Sequence, residues 1–185
     1  MEYTPEYLLQ TFSIHSSNSN FGLIGFCWEV WAITKACVML ECNEKHGNNG
    51  KNNKHNFSFW NIRCGVGFHP SLKLEDVAFN RNQVEMAKLA AGYVPLLYLV
   101  AGNDAENIKP SEGEIAKVVS DSGNIRCEGR ETNREQLPRC AEFPDMMHGW
   151  VSRGNTSLGE VKKGAEDALM MAVEFFLSMY LKKSH

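Results

Sequence analysis

Three residues of this 185-residue chain are of the right types for nucleophilic acyl transfer: a thiol at Cys27, a carboxylate at Asp104 and an imidazole at His148. Cys27 ends the short apolar run Phe21-Gly22-Leu23-Ile24-Gly25-Phe26, and a stretch with helical spacing, Trp28 to Leu40, follows with no linker. A strand turning directly into a helix lifts the turn residue clear of its sheet and aims the helix N-terminus at it. The backbone N–H of Trp28, the next residue, is then the expected oxyanion donor. Gly25 is the small residue two positions before; two positions after, where the pattern wants a second Gly, stands Glu29. A free thiol with a pKa of about 8.5 is mostly protonated at neutral pH, and a helix N-terminus with a nearby imidazole lowers it. The competing reading is a buried core cysteine, a common fate of free Cys.

Leu96-Leu97-Tyr98-Leu99-Val100-Ala101-Gly102-Asn103-Asp104 is an apolar strand ending in a carboxylate, a pattern that also fits an Asx turn. Phe143-Pro144-Asp145-Met146-Met147-His148-Gly149-Trp150 puts a histidine in a loop before a long final helix. Nucleophile, acid, histidine is the chain order of α/β-hydrolase triads. In such a triad His148 would move the proton between thiol and leaving alcohol, and Asp104 would hold the imidazole tautomer.

Gly25-Phe26-Cys27-Trp28, Phe68-His69-Pro70-Ser71, Val94-Pro95, Ala101-Gly102-Asn103-Asp104 and His148-Gly149-Trp150 with Arg153 resemble the dienelactone hydrolase family, the carboxymethylenebutenolidase-like proteins, over residues 20–34 and 62–180. The resemblance implies an α/β-hydrolase fold, three layers with a mostly parallel sheet. It implies a Cys27–Asp104–His148 triad acting on small esters or lactones, with no metal and no organic cofactor. It further implies that Arg153 binds a substrate carboxylate, for which a bidentate guanidinium is suited; Trp150 reads as a substrate wall or else a loop anchor, and His69, at a strand end, as structural. Family members carry the first strands of the sheet before the nucleophile, together with a second oxyanion donor and a glutamate that contacts the resting thiol. Here only 26 residues precede Cys27, so those strands are expected to be missing. The nucleophile strand would then have one bare edge, a site for self-association with a second copy. The alternative function is an inactive, truncated relative that acts by binding or has no function.

The totals fit one domain, 1–185, with a real core: 43% hydrophobic and 22% charged residues. A net charge of −3 gives no basic surface for nucleic acid or anionic membrane. No apolar run approaches a membrane span. Six cysteines without framework spacing, and no visible leader, read as reduced thiols of a cytoplasmic protein. Cys37, Cys42, His46, His55 and Cys64 fit no compact zinc spacing.

Around the three residues the expected elements are these. Residues 1–20 are poorly defined. A helix covers 28–41, and the Asn/Lys/Gly-rich 41–56 is a disordered insertion. A strand spans 57–69, and 76–92 holds a helix over the active-site face. Leu96–Ala101 is a strand; Ser111–Val119 is a helix with a Ser111-x-x-Glu114 capping box; a short strand falls near Arg139–Phe143. The final helix is capped by Ser157-x-x-Glu160 and presents Val161, Ala165, Ala168/Leu169, Ala172/Val173, Phe176 and Tyr180 to the sheet.

Overall fold

A computed structural model describes residues 20–46, 61–121 and 139–181, with side chains for all of these except 20, 39–46 and 61. In chain order they form β1 (Asn20–Phe26), α1 (Trp28–His46), β2 (Asn61–Phe68), α2 (Leu74–Phe79), α3 (Gln83–Tyr93), β3 (Leu96–Ala101), a 3-10 turn (Glu106–Ile108), α4 (Glu114–Asp121), β4 (Cys140–Phe143), α5 (Trp150–Arg153) and α6 (Gly159–Tyr180). The four strands pair in the order β1-β2-β3-β4, and all pairs are parallel. The chain is thus an α/β protein.

The strand sequences explain the layering. A parallel sheet covered on both faces needs apolar residues at successive positions, and all six residues of β3 are buried. Leu96, Tyr98 and Val100 join one core with α1, α3 and α4. Leu97, Leu99 and Ala101 join the other with Trp150 and with Ala165, Ala168, Ala172 and Phe175 of α6. α1 sits very close to the sheet because the sheet offers glycines beneath it. A Cβ on Gly67 would stand 2.3 Å from Val30 Cγ1, and one on Gly25 would stand 2.7 Å from Ile33 Cδ1. The small residues that let helix and sheet touch are therefore in the strands.

Several sequence expectations are corrected. α1 runs to His46, into the stretch expected to be disordered, because Glu41, Glu44 and Lys45 favour helix and let it propagate; 47–56 lie outside the described residues. So do 57–60, which were expected to open the second strand, and most of 1–20. The helix expected over 76–92 is two helices, broken where Asn80 takes φ 50° and Asn82 caps α3 by accepting from Val84 and Glu85 N–H. α4 starts at Glu114, not at a Ser111 cap. Gly113 sits so tightly against the Lys109 and Asn107 carbonyls that a Cβ would stand 2.5 and 2.6 Å from them. α6 starts after Leu158, and Ser157 is held instead in a turn whose N–H and hydroxyl both donate to Asn155 Oδ1.

Of the expected stripe of α6, Ala165, Ala168 and Ala172 are buried and Phe176 is partly buried against the same core. Gly164, Ala165, Ala168, Ala172 and Phe175 face inward. Leu169, Val173 and Tyr180 are exposed, and Gly22 of β1 lies under Phe176 and Tyr180. Among the described residues β1 pairs only with β2 and stands at the edge of the sheet. No helix among them is long and apolar enough to cross a membrane.

Candidate active site

Ligand sites of open parallel sheets form at the carboxyl ends of the strands, and here each of the four strands delivers one polar residue to that rim. Cys27 follows β1, Ser71 follows β2, Asp104 follows β3 and His148 follows β4.

Cys27 is a strand-to-helix turn of one residue. Its N–H still donates to Phe68 O in the sheet, and its carbonyl already accepts from Val30 N–H in α1. That abrupt change is made at φ 56°, a left-handed conformation that a non-glycine residue adopts at a cost of order 1–3 kcal/mol. The Ser71 N–H also donates to the Cys27 carbonyl, so β2's exit loop braces the turn. Glu29 fits where a Gly was expected because it points outward. Its carboxylate accepts from Phe26 N–H at 3.0 Å, satisfying the last donor on β1's open side.

His148 Nε2 lies 3.2 Å from Cys27 Sγ, and His148 Nδ1 lies 2.5 Å from Asp104 Oδ1. With a carboxylate oxygen as acceptor, Nδ1 carries a proton and Nε2 faces the sulfur. Asp104 is itself fixed: it is buried, and its other oxygen accepts from Ala101 N–H at 2.7 Å. Asn103 Oδ1 accepts from the His148 N–H at 2.6 Å and anchors the histidine loop. The structure thus brings together the three residues singled out in the sequence, from three separate strand ends.

Burial pushes the Cys27 thiol up, but hydrogen bonds from Ser71 and His148, the charge of His148 and the Trp28 N–H outweigh it and leave the pKa below the ordinary thiol value. For His148 burial works downward, while Asp104 and Cys27 hold the imidazole above its ordinary value. The two shifts favour the same state, thiolate beside imidazolium. The Trp28 N–H faces the sulfur, the position the elbow predicts for an oxyanion donor.

Ser71 is the residue that reasoning from the sequence missed. Its hydroxyl lies 3.4 Å from Cys27 Sγ. The signal was present in Phe68-His69-Pro70-Ser71, since a parallel neighbour of the nucleophile strand must end beside it. His69 takes φ 39° and is fully buried, with neither ring nitrogen hydrogen-bonded. Its ring packs edge-on to His148 at 4.7 Å and to Trp150 at 5.5 Å, and burial pushes its pKa down to about 4.

Trp150 is 2% exposed and packs against His69 and Phe143, which is the place of a loop anchor. Arg153 is exposed, and its guanidinium folds back over Gly149, where an added Cβ would stand 3.0 Å from a guanidinium nitrogen. A cleft of about 170 Å³ opens beside the triad, lined by Ser71, Asn103, Asp104 and His148 on the near side and by Lys73, Gln83 and Asn107 further out. Of the cysteines and histidines weighed for zinc from sequence, Cys37 and Cys64 are buried in opposite cores, while the side chains of Cys42, His46 and His55 lie outside the described ones.

Compared with models of protein families, with curated proteins and with solved structures, the chain matches none.

Proposed function

We propose that this chain has the α/β-hydrolase fold of the dienelactone hydrolase type and hydrolyses a small ester or lactone through Cys27. The observation that carries the reading is the continuous Cys27–His148–Asp104 hydrogen-bond relay, with the thiol on a left-handed turn at a helix N-terminus.

The thiolate of Cys27 attacks the carbonyl carbon, and the new C–S bond pushes an electron pair onto the carbonyl oxygen. The Trp28 N–H donates to that oxyanion. As the carbonyl re-forms, the C–O bond breaks, and His148 Nε2–H gives its proton to the leaving oxygen. An alcohol departs, or remains tethered if the substrate was a lactone, and a thioester stays on Cys27. Water then attacks the thioester, passing its proton to His148. The C–S bond breaks, releasing a carboxylic acid and restoring the thiolate–imidazolium pair. Asp104 keeps Nδ1 protonated throughout and stabilises the imidazolium. Arg153, close to the His148 loop, is suited to a substrate carboxylate.

The test is turnover of a small chromogenic acetate ester by the full chain, with mass spectrometry for an acetyl group on Cys27. Cys27→Ala is expected to lose both, with a fall in rate of at least about 10³-fold. Equal slow hydrolysis by both proteins sinks the enzyme reading and leaves the cleft as a binding site.

A further inference from the structure

We propose that Cys27, His69 and His148 form a site for a thiophilic divalent cation, Zn²⁺ in type, that shuts off the thiol when occupied. One nitrogen of each imidazole and the thiol sulfur all lie within 4.8 Å of one another. His69 is what separates this cluster from a bare catalytic pair. Its ring is fully buried against His148, and both nitrogens lack a hydrogen-bond partner. A metal bond gives one of those nitrogens a partner.

The chemistry of the set is specific. One thiolate and two neutral imidazoles suit Zn²⁺, which binds sulfur at about 2.3 Å and nitrogen at about 2.0–2.1 Å, and leave a fourth tetrahedral position for water. Those lengths separate sulfur from nitrogen by about 3.5 Å, and Cys27 Sγ and His148 Nε2 stand 3.2 Å apart. The second requirement of a metal-bound histidine is a carboxylate on its other nitrogen, which orients the ring and raises its basicity. Asp104 already supplies it to His148. On binding, the cation replaces the proton shared between sulfur and Nε2, and that proton goes to solvent. The sulfur lone pair and Nε2 are then both engaged, so neither nucleophile nor base is free. The site does not depend on hydrolysis: a chain that turns over no ester binds the metal equally well.

Titration of the metal-free full chain with Co²⁺ tests this. Thiolate-to-cobalt charge-transfer absorption and tetrahedral ligand-field bands are expected at one Co²⁺ per chain, both displaced by Zn²⁺. The same titration is expected to protect Cys27 from alkylation. Cys27→Ser should abolish the charge-transfer band. His69→Phe, which keeps the ring packing and removes both nitrogens, should weaken binding by more than about tenfold. X-ray absorption of the Zn²⁺-loaded wild type gives the ligand count without a variant, one sulfur and two nitrogens, so a His69→Phe protein that fails to fold does not spare the proposal. Unprotected Cys27, a charge-transfer band that survives in Cys27→Ser, or undiminished affinity in a folded His69→Phe overturns it. These readouts do not use activity, so their failure and the failure of the hydrolase reading are separate results.

Discussion

Two ends of the same strand behave differently. At its carboxyl end β1 is gripped from all sides: Cys27 is bonded through N–H, carbonyl and sulfur to β2, α1, Ser71 and His148. Along its outer edge β1 has no partner strand among the described residues, and apolar side chains stand in solvent beside it, Ile24 at 51% and Val173 at 50% exposure. The contrast shows what the site depends on. Cys27, Ser71, Asp104 and His148 come from the ends of β1 to β4, so bringing these four together needs nothing beyond the outer edge of β1. The exposed flank carries apolar area but no polar group of the site. If the comparison is right, changes at the rim alter chemistry and changes along the flank alter only association.

The sharpest way to break it is Asp104→Asn. Asp104 does not touch the thiol, yet it and Cys27 are what hold His148 above its ordinary pKa against burial. Replacing the carboxylate by an amide removes that support and lets Nδ1 take the acceptor role, which leaves the proton on the wrong nitrogen. The expected loss of kcat is about 10³–10⁴-fold. The pH dependence has a definite sign. His148 lowers the pKa of Cys27 by hydrogen bond and charge, so with less imidazolium the thiolate forms at higher pH. The midpoint of Cys27 alkylation against pH should therefore move up toward the ordinary thiol range. An unmoved midpoint would show that Ser71 and the helix N-terminus activate the thiol without the relay.

A second substitution tests whether the rim is held by packing beneath it. Gly67→Ala places a methyl 2.3 Å from Val30 Cγ1, and Val30 is fully buried in the first turn and a half of α1. Either α1 lifts or Val30 leaves its rotamer, and overpacking of this kind typically costs about 1–3 kcal/mol. Urea unfolding measures that cost. If α1 lifts, Cys27 alkylation slows as well, because the Trp28 N–H leaves the sulfur. Lost stability with unchanged alkylation would mean the turn is braced by β2 and Ser71 alone.

The same contrast marks what could be read from the sequence. β3 was legible because six successive apolar residues, Leu96–Ala101, suit a strand buried on both faces. The meeting of Cys27, Asp104 and His148 was legible because these residues fall at strand ends in a known order. Ser71 was not, since its role comes from β2 lying parallel to β1, and pairing is not written in either strand alone. The capping boxes at Ser111 and Ser157 failed for a different reason. The motif fixes side-chain types, but the Gly113 close approach and the Asn155 turn had already committed the backbone. Phe175 turns inward beside the expected Phe176, which is itself partly buried against the same core. Of the paired alternatives in that stripe, Ala168 and Ala172 face the sheet, and Leu169 and Val173 are exposed.

The smallest expected effect lies on that flank. Val173 is half exposed on α6, one turn from Leu169 and Leu177, which are also exposed, and Ile24 stands on the neighbouring edge strand. Val173→Glu removes no buried contact, so stability should change by no more than about 0.5 kcal/mol. Alkylation of Cys27 should not change at all. Association is what should respond: a charge in the middle of an apolar stripe beside a bare strand edge opposes edge-to-edge pairing. Glu29 already acts in this direction at one point, since its carboxylate occupies the Phe26 N–H that a further strand would use. Sedimentation velocity over a concentration series separates the outcomes. A wild-type chain that self-associates and a Val173→Glu chain that does not would assign the flank to a second copy. Identical, monomeric behaviour in both would mean that Glu29 and the edge's own geometry already keep copies apart. Slower alkylation in Val173→Glu would break the comparison itself, because it would couple the flank to the rim.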